Sequence, residues 1–299
     1  MSARGVFKNI VFISIPVVFG VVIFLELFFR FVIPACTKPV AFFDEQYTML
    51  RSDPDKRPEG LYTMGKLAQV KARWHINNYG WNSAVDYHSE KTAKKRICVI
   101  GDSYVRALQV DVEKNLTALL RTMVGDTYDV YSFGHDGAPL SQHLHVSRYV
   151  RDLFAPDIMI FLLVHNDFHE SLADLVYKPY YLQLGSDHGK FYEIAPEKRN
   201  FYQFLTGSAA FRYVFKNIGL ASLYCRMIER PQSYTANIPV DRVTDKQVLL
   251  RNATDFIFSK ISRENSDTRI IVVMDAPRPD IYSGRSEERR VGKECATGC

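Results

Sequence analysis

Several things are scarce in this chain, and each scarcity excludes something. The five cysteines, Cys36, Cys98, Cys225, Cys295 and Cys299, show neither paired metal-ligand spacing nor an even disulfide framework. Zinc ribbons and disulfide-stapled folds are therefore set aside. Cys98 alternates into an apolar run and Cys225 into a helical pattern, so both read as small core residues. There is no glycine-rich phosphate loop and no metal motif, so no cofactor is implied. The formal charge of +5 is not gathered into a basic stripe, and no nucleic-acid partner is expected. Internal repeats and low-complexity tracts are absent. No histidine follows His188.

What is present is a chain of 299 residues, 47% hydrophobic, long enough for one large domain or two small ones without disulfides. Residues 9–34 are almost continuously apolar, which matches the roughly 20 residues that one helix needs to cross a bilayer. Arg4 and Lys8 precede this run and favour a cytoplasmic amino terminus, with the rest of the chain across the inner membrane on the periplasmic side. Glu26 and Arg30 stand four apart and can pair on one helix face. A cleaved signal peptide has a shorter apolar core and a small-residue cleavage site, neither of which is found here. Ile33-Pro34-Ala35-Cys36 is only loosely like a lipoprotein box, and a buried core helix would show a polar face. Residues 1–35 are thus expected to be an uncleaved anchor.

Residues 36–95 are polar and irregular, with Pro39, Pro54 and Pro58, and read as a linker and entry segment. Within it, Trp74 to Trp81 alternates like a short strand running into a turn at Asn78–Gly80, with an aromatic density that suits packing on the main domain. His75 there reads as structural. Apolar runs at 97–100, 128–133, 157–164 and 269–275 lack polar alternation, as strands of a parallel sheet do. Helical periodicity fills 112–123, 140–154 and 243–262. This alternation predicts an α/β fold with a doubly wound parallel sheet. Residues 171–240 interrupt the rhythm with a hairpin turning near 186–189 and a helical stretch over 209–230. That insertion is either a lid beside the site or a surface elaboration.

Polar landmarks stand at the ends of three apolar runs: Gly101-Asp102-Ser103, Gly134-His135-Asp136-Gly137 and His165-Asn166-Asp167. Carboxyl ends of parallel strands are where open α/β sheets gather their chemistry. A serine oxygen needs a base to take its proton and donors for the oxyanion that forms. The Ser103 and Gly137 N–H groups and the Asn166 amide could form a three-donor hole. Glycine at 137 leaves room for an acyl carbon. Gly-x-Ser-x-Gly is not formed, because Val105 fills its last position, which argues against the α/β-hydrolase elbow.

The order Gly101-Asp102-Ser103, Gly137, Asn166-Asp167 resembles the first three blocks of the SGNH (GDSL-type) hydrolase family. Ile97 to Ser103 is similar to its hhhhGDS, Ser132 to Gly137 to its NxGxxG, and Leu163 to Asp167 to its GxND. The likeness covers 70–284, and Asn78-Tyr79-Gly80-Trp81 resembles a segment of a membrane-anchored subgroup. It implies a flavodoxin-like hydrolase domain over 96–284, with Ser103 as nucleophile and Gly137 and Asn166 in the oxyanion hole. It also implies an acylated glycan or small ester as substrate, and a possible link to envelope polysaccharide machinery. Esterase, polysaccharide O-acetyltransferase and non-catalytic binding or assembly module remain open.

Two departures stand against the pattern. His165 replaces the small residue that usually precedes the Asn-Asp pair. The family's Asp-x-x-His block has no counterpart here; His135 and His165 are the histidines on site-facing loops, and Asp275, which ends the fourth run, is followed by none. Residues 285–295 match, over eleven codons, the in-frame translation of a common short-read sequencing adaptor. Residues 285–299 are therefore expected to be non-native, and the chain to lack the block that carries its base.

Overall fold

The computed structural model describes residues 10–198, 207–219 and 243–275. Cys225, much of the expected 209–230 helix and the 285–299 tail lie outside them. The first long helix, α1 (Ile15–Phe31), follows a π turn at Ile10–Ser14 and buries none of its residues. Val11–Phe31 is long and apolar enough to cross a membrane, with a mean hydropathy of 2.6.

The segment expected to be a linker is instead built from two antiparallel hairpins. β1 (Ala41–Asp44) pairs with β2 (Met49–Ser52), and β3 (Glu59–Met64) with β4 (Val70–His75). Their strands are short, but they are fastened to the rest of the molecule. Met49, Trp81 and Tyr87 enter the main core, Trp74 and Ile76 pack on Leu108, and Leu50 packs on Ala138 and Tyr181. The turn after β4 is held by the Asn77 side-chain oxygen, which accepts from the N–H of Tyr79 at 3.1 Å and of Trp81 at 3.0 Å.

The domain proper alternates strands and helices. β5 (Lys95–Gly101) leads into α2 (Ser103–Arg106), a 3-10 turn at Val112–Lys114 and α3 (Leu116–Val124). The single helix expected over 112–123 is thus broken at Asn115, whose extended backbone (ψ 165°) and side chain cap α3 by accepting from Ala118 N–H at 2.8 Å. Then come β6 (Tyr128–Gly134), α4 (Leu140–Phe154), β7 (Ile158–Leu163) and α5 (His165–Glu170). A hairpin of β8 (Gln183–Asp187) and β9 (Lys190–Ile194) follows. α6 (Ala209–Arg212) runs into a π turn at Tyr213–Asn217, and α7 (Val243–Glu264) precedes β10 (Arg269–Met274).

β5, β6, β7 and β10 form one parallel sheet in the order β6-β5-β7-β10. Side chains alternate across it. Cys98, Ile100, Phe133 and Phe161 face Leu144 and Phe154 of α4 and Ile257 and Ile261 of α7. Ile97, Val99 and Val130 face Leu120 and Val124 of α3. Arg148 of α4 ties this layer to the hairpin and α7: its guanidinium donates to both oxygens of Glu193 at 2.7 and 2.8 Å, and to both of Glu264 at 2.6 and 2.8 Å. The chain leaves β5 for β6 on one side and later returns to β7 on the other. The carboxyl ends of β5 and β7 are therefore the topological switch point, where such sheets bind ligands.

Candidate active site

Ser103, Gly137 and Asn166 each follow one of three neighbouring strands. Ser103 lies two residues after the end of β5 and starts α2, Gly137 lies three residues beyond β6, and Asn166 is the second residue of α5 after β7. Asp102 caps α2, its Oδ1 accepting from Tyr104 N–H at 2.9 Å. The Ser103 hydroxyl, half-buried, donates to Asp102 Oδ2 at 3.4 Å, a long and weak contact. Burial pushes the Asp102 carboxyl above its ordinary range.

Two glycines allow the strand ends to come this close. A side chain on Gly101 would meet Val105 Cγ2 at 2.4 Å, and one on Gly134 would meet the Arg106 backbone nitrogen at 2.1 Å. Gly134 therefore lets the end of β6 lie directly against α2, a role that reading the motif alone does not disclose. Gly137 differs: its φ of +71° is the left-handed region, and the nearest atom to an added Cβ is Lys178 Nζ at 3.5 Å. Lys178 donates to the Gly137 carbonyl at 2.8 Å and to Glu170 Oε2 at 2.5 Å. This clamp on the Gly137 loop comes from the insertion, and no local pattern announces it.

The two histidines on the site-facing loops part company. His135 is buried, its Nε2 donates to the Leu50 carbonyl at 2.8 Å and its Nδ1 faces the Tyr181 hydroxyl at 3.3 Å. Burial and then the Arg106 charge hold its pKa down at about 4. A ring so engaged pins the β1–β2 hairpin to the domain and cannot also serve Ser103. His165 opens α5 half-buried. Among the described residues, no histidine hydrogen-bonds the Ser103 hydroxyl. Asp275 extends the ladder, its N–H donating to the Leu163 carbonyl at 2.9 Å.

Two carboxylates frame the site differently. Asp136 is half-buried, and Arg106 at 3.2 Å and Lys38 at 3.6 Å outweigh its desolvation and keep its pKa below the usual value. Asp167 is fully buried, and its Oδ2 accepts from Val164 N–H at 2.8 Å while Oδ1 has no partner. Burial first, then the nearby Asp102 and Glu170 charges, lift its pKa to about 8. Among the described residues, no cluster of three His, Cys, Asp or Glu could hold a metal ion.

No protein-family model matches the chain, and no curated protein matches it either. Several solved structures overlap part of it, the following two among them. "Crystal Structure of TesA" is 25% identical over 25% of this chain and 43% of that one, with a TM-score of 0.24. "Crystal structure of AlinE4, a SGNH-hydrolase family esterase" is 21% identical over 26% of this chain and 44% of that one, also at 0.24. This chain therefore spans less than half the length of either. Overlaps this short leave the functional reading to the site itself.

Proposed function

We propose that this chain is a membrane-anchored serine acyl hydrolase of SGNH type that acts on acylated glycans or small esters. The observation that supports the reading is that Ser103, Gly137 and Asn166 each follow the carboxyl end of one of three adjacent parallel strands. Ser103 Oγ attacks the ester carbonyl and forms the acyl-serine bond, its proton passing to a base. The N–H groups of Ser103 and Gly137 and the Asn166 amide receive the oxyanion, each such donor being worth about 10²–10³ in rate. The alcohol leaves with a proton. Water as acceptor then gives an esterase, and a sugar hydroxyl gives an O-acetyltransferase serving envelope polysaccharide. The domain faces the periplasmic side of the inner membrane, tethered by residues 9–34.

His135 is engaged elsewhere, and among the described residues no histidine hydrogen-bonds the Ser103 hydroxyl. A binding module using the same pocket would share that property. A fluorophosphonate probe at high concentration separates the two readings. Slow labelling of the full chain that disappears in Ser103→Ala supports a nucleophile in an oxyanion site. Equal labelling of both proteins overturns it. Hydrolysis of p-nitrophenyl acetate by the full chain, lost in Ser103→Ala, supports the enzyme over the binding module.

A further inference from the structure

The anchor is docked to the domain, and its docking site has the composition of a membrane-interface element. Glu26 sits five residues before the end of α1, about 7 Å along the helix axis. The 21 residues of Val11–Phe31 span about 31 Å, roughly the hydrocarbon thickness, so this carboxylate falls just inside the outer boundary. A lone carboxylate there is costly. It is not alone: Arg30 donates to it at 2.5 Å, Ser208 Oγ at 2.8 Å, and the N–H groups of Ala209 and Ala210 at 2.9 and 3.1 Å. Phe29 of α1 stacks on Tyr213 with ring centroids 3.7 Å apart. Residues 207–218, inside the insertion, are thereby drawn to the depth of Glu26.

The outward side of that segment is apolar and aromatic. Phe211 and Phe215 stack at 4.1 Å, Phe215 is 37% exposed and Ile218 46%, and Phe31 and Val32 at the end of α1 are bare as well. Cations gather beside it. Partial desolvation, then repulsion from Lys38, Arg212 and Arg57, holds the Lys216 ammonium below its ordinary pKa. Aromatics at the acyl boundary with basic side chains at phosphate level are what an interfacial helix presents to anionic lipid.

We propose that residues 207–218 form an interfacial wedge, with Phe211, Phe215 and Ile218 in the lipid boundary and Lys216 on anionic phospholipid headgroups. The domain is then seated on the bilayer rather than swinging from a tether. The proposal rests on α1 spanning the membrane and is independent of the chemistry at Ser103.

Reporters Phe215→Trp and Ile218→Trp, each in the full chain in lipid nanodiscs, test it. The native Trp74 and Trp81 are 1% and 2% exposed and give a shielded background. Both reporters should emit to the blue, resist acrylamide and be quenched by lipids brominated high on the acyl chain. At equal mole fraction, brominated phosphatidylglycerol should be favoured over brominated phosphatidylcholine about fivefold per cation, and Lys216→Gln should lower that preference. Acrylamide-accessible emission from inserted chains overturns the wedge. Equal quenching by the two lipids overturns the anionic-headgroup assignment, and shielding found only in discs holding two chains assigns the surface to a second copy instead. A chain that stays out of the discs overturns the span and the wedge together.

Discussion

β5 and β10 are two parallel strands of one sheet, and their sequences are close kin: Lys-Arg-Ile-Cys-Val-Ile-Gly and Arg-Ile-Ile-Val-Val-Met. Their surroundings are opposite. Every residue of β5 after Lys95 is buried, whereas β10 buries none, and Val272, Val273 and Met274 are 46%, 45% and 54% exposed. β5 has β6 and β7 on its flanks and helices on both faces. β10 pairs only with β7 among the described residues, and the upper half of the strand has little cover. An apolar run specifies a strand, and its neighbours decide how much that strand is worth. The candidate site sits where neighbours are most numerous, at the ends of β5, β6 and β7.

Mutations should expose this asymmetry by the size of their effects. Phe161→Ala in β7, fully buried, should lower urea-measured stability by about 3–5 kcal/mol, through lost burial and the cavity left behind. Gly134→Ala comes next, at about 1–3 kcal/mol, because its Cβ has only backbone to push against. A loss near zero would mean that α2 can retreat from β6, and fluorophosphonate labelling at Ser103 would then report the displaced nucleophile.

The pH dependence comes third. Asp167 has its folded-state pKa raised to about 8, so the stability it contributes is full below its unfolded value near 4 and is lost as pH rises through 8. Buried His135 and His143, lowered to about 4 and about 3, act in the opposite sense and contribute fully only above 6.5. His145 and His169 are lowered likewise, so the Asp167 effect stands clear only above about pH 7.5, where stability should fall by up to about 1 kcal/mol per pH unit. Asp167→Asn keeps an acceptor for Val164 N–H and should flatten that slope in denaturation curves; an unchanged slope would place the titration elsewhere. The smallest effect belongs to β10: Val272→Thr should stay within about 0.5 kcal/mol, and a loss approaching that of Phe161→Ala would show that the edge strand is covered.

Much of the domain was legible in the residues. The four parallel strands fall within a residue or two of the apolar runs, α4 spans the 140–154 expected, and the β8–β9 hairpin turns at His188-Gly189. Strong periodicity over whole elements makes such features local. The hairpins of 36–95 were not legible, because strands of four to six residues carry little periodicity and owe their placement to distant partners such as His135 on Leu50. The same holds within the site. The order of Ser103, Gly137 and Asn166 could be read along the chain, but the removal of His135 from the list of bases and the Lys178 clamp could not.

An apolar helix of bilayer length, an alternating α/β chain and a serine at a strand end could be read from the residues, since each depends on neighbours close together along the chain. Contacts in three dimensions decided which strand is central, which histidine is spent on packing, and that Glu26 of α1 binds residues 208–210. Those outcomes depend on contacts between residues separated by 85 positions for His135 and Leu50, and by 182 for Glu26 and Ser208. Burial and hydrogen bonding across such separations are fixed only when the chain has folded.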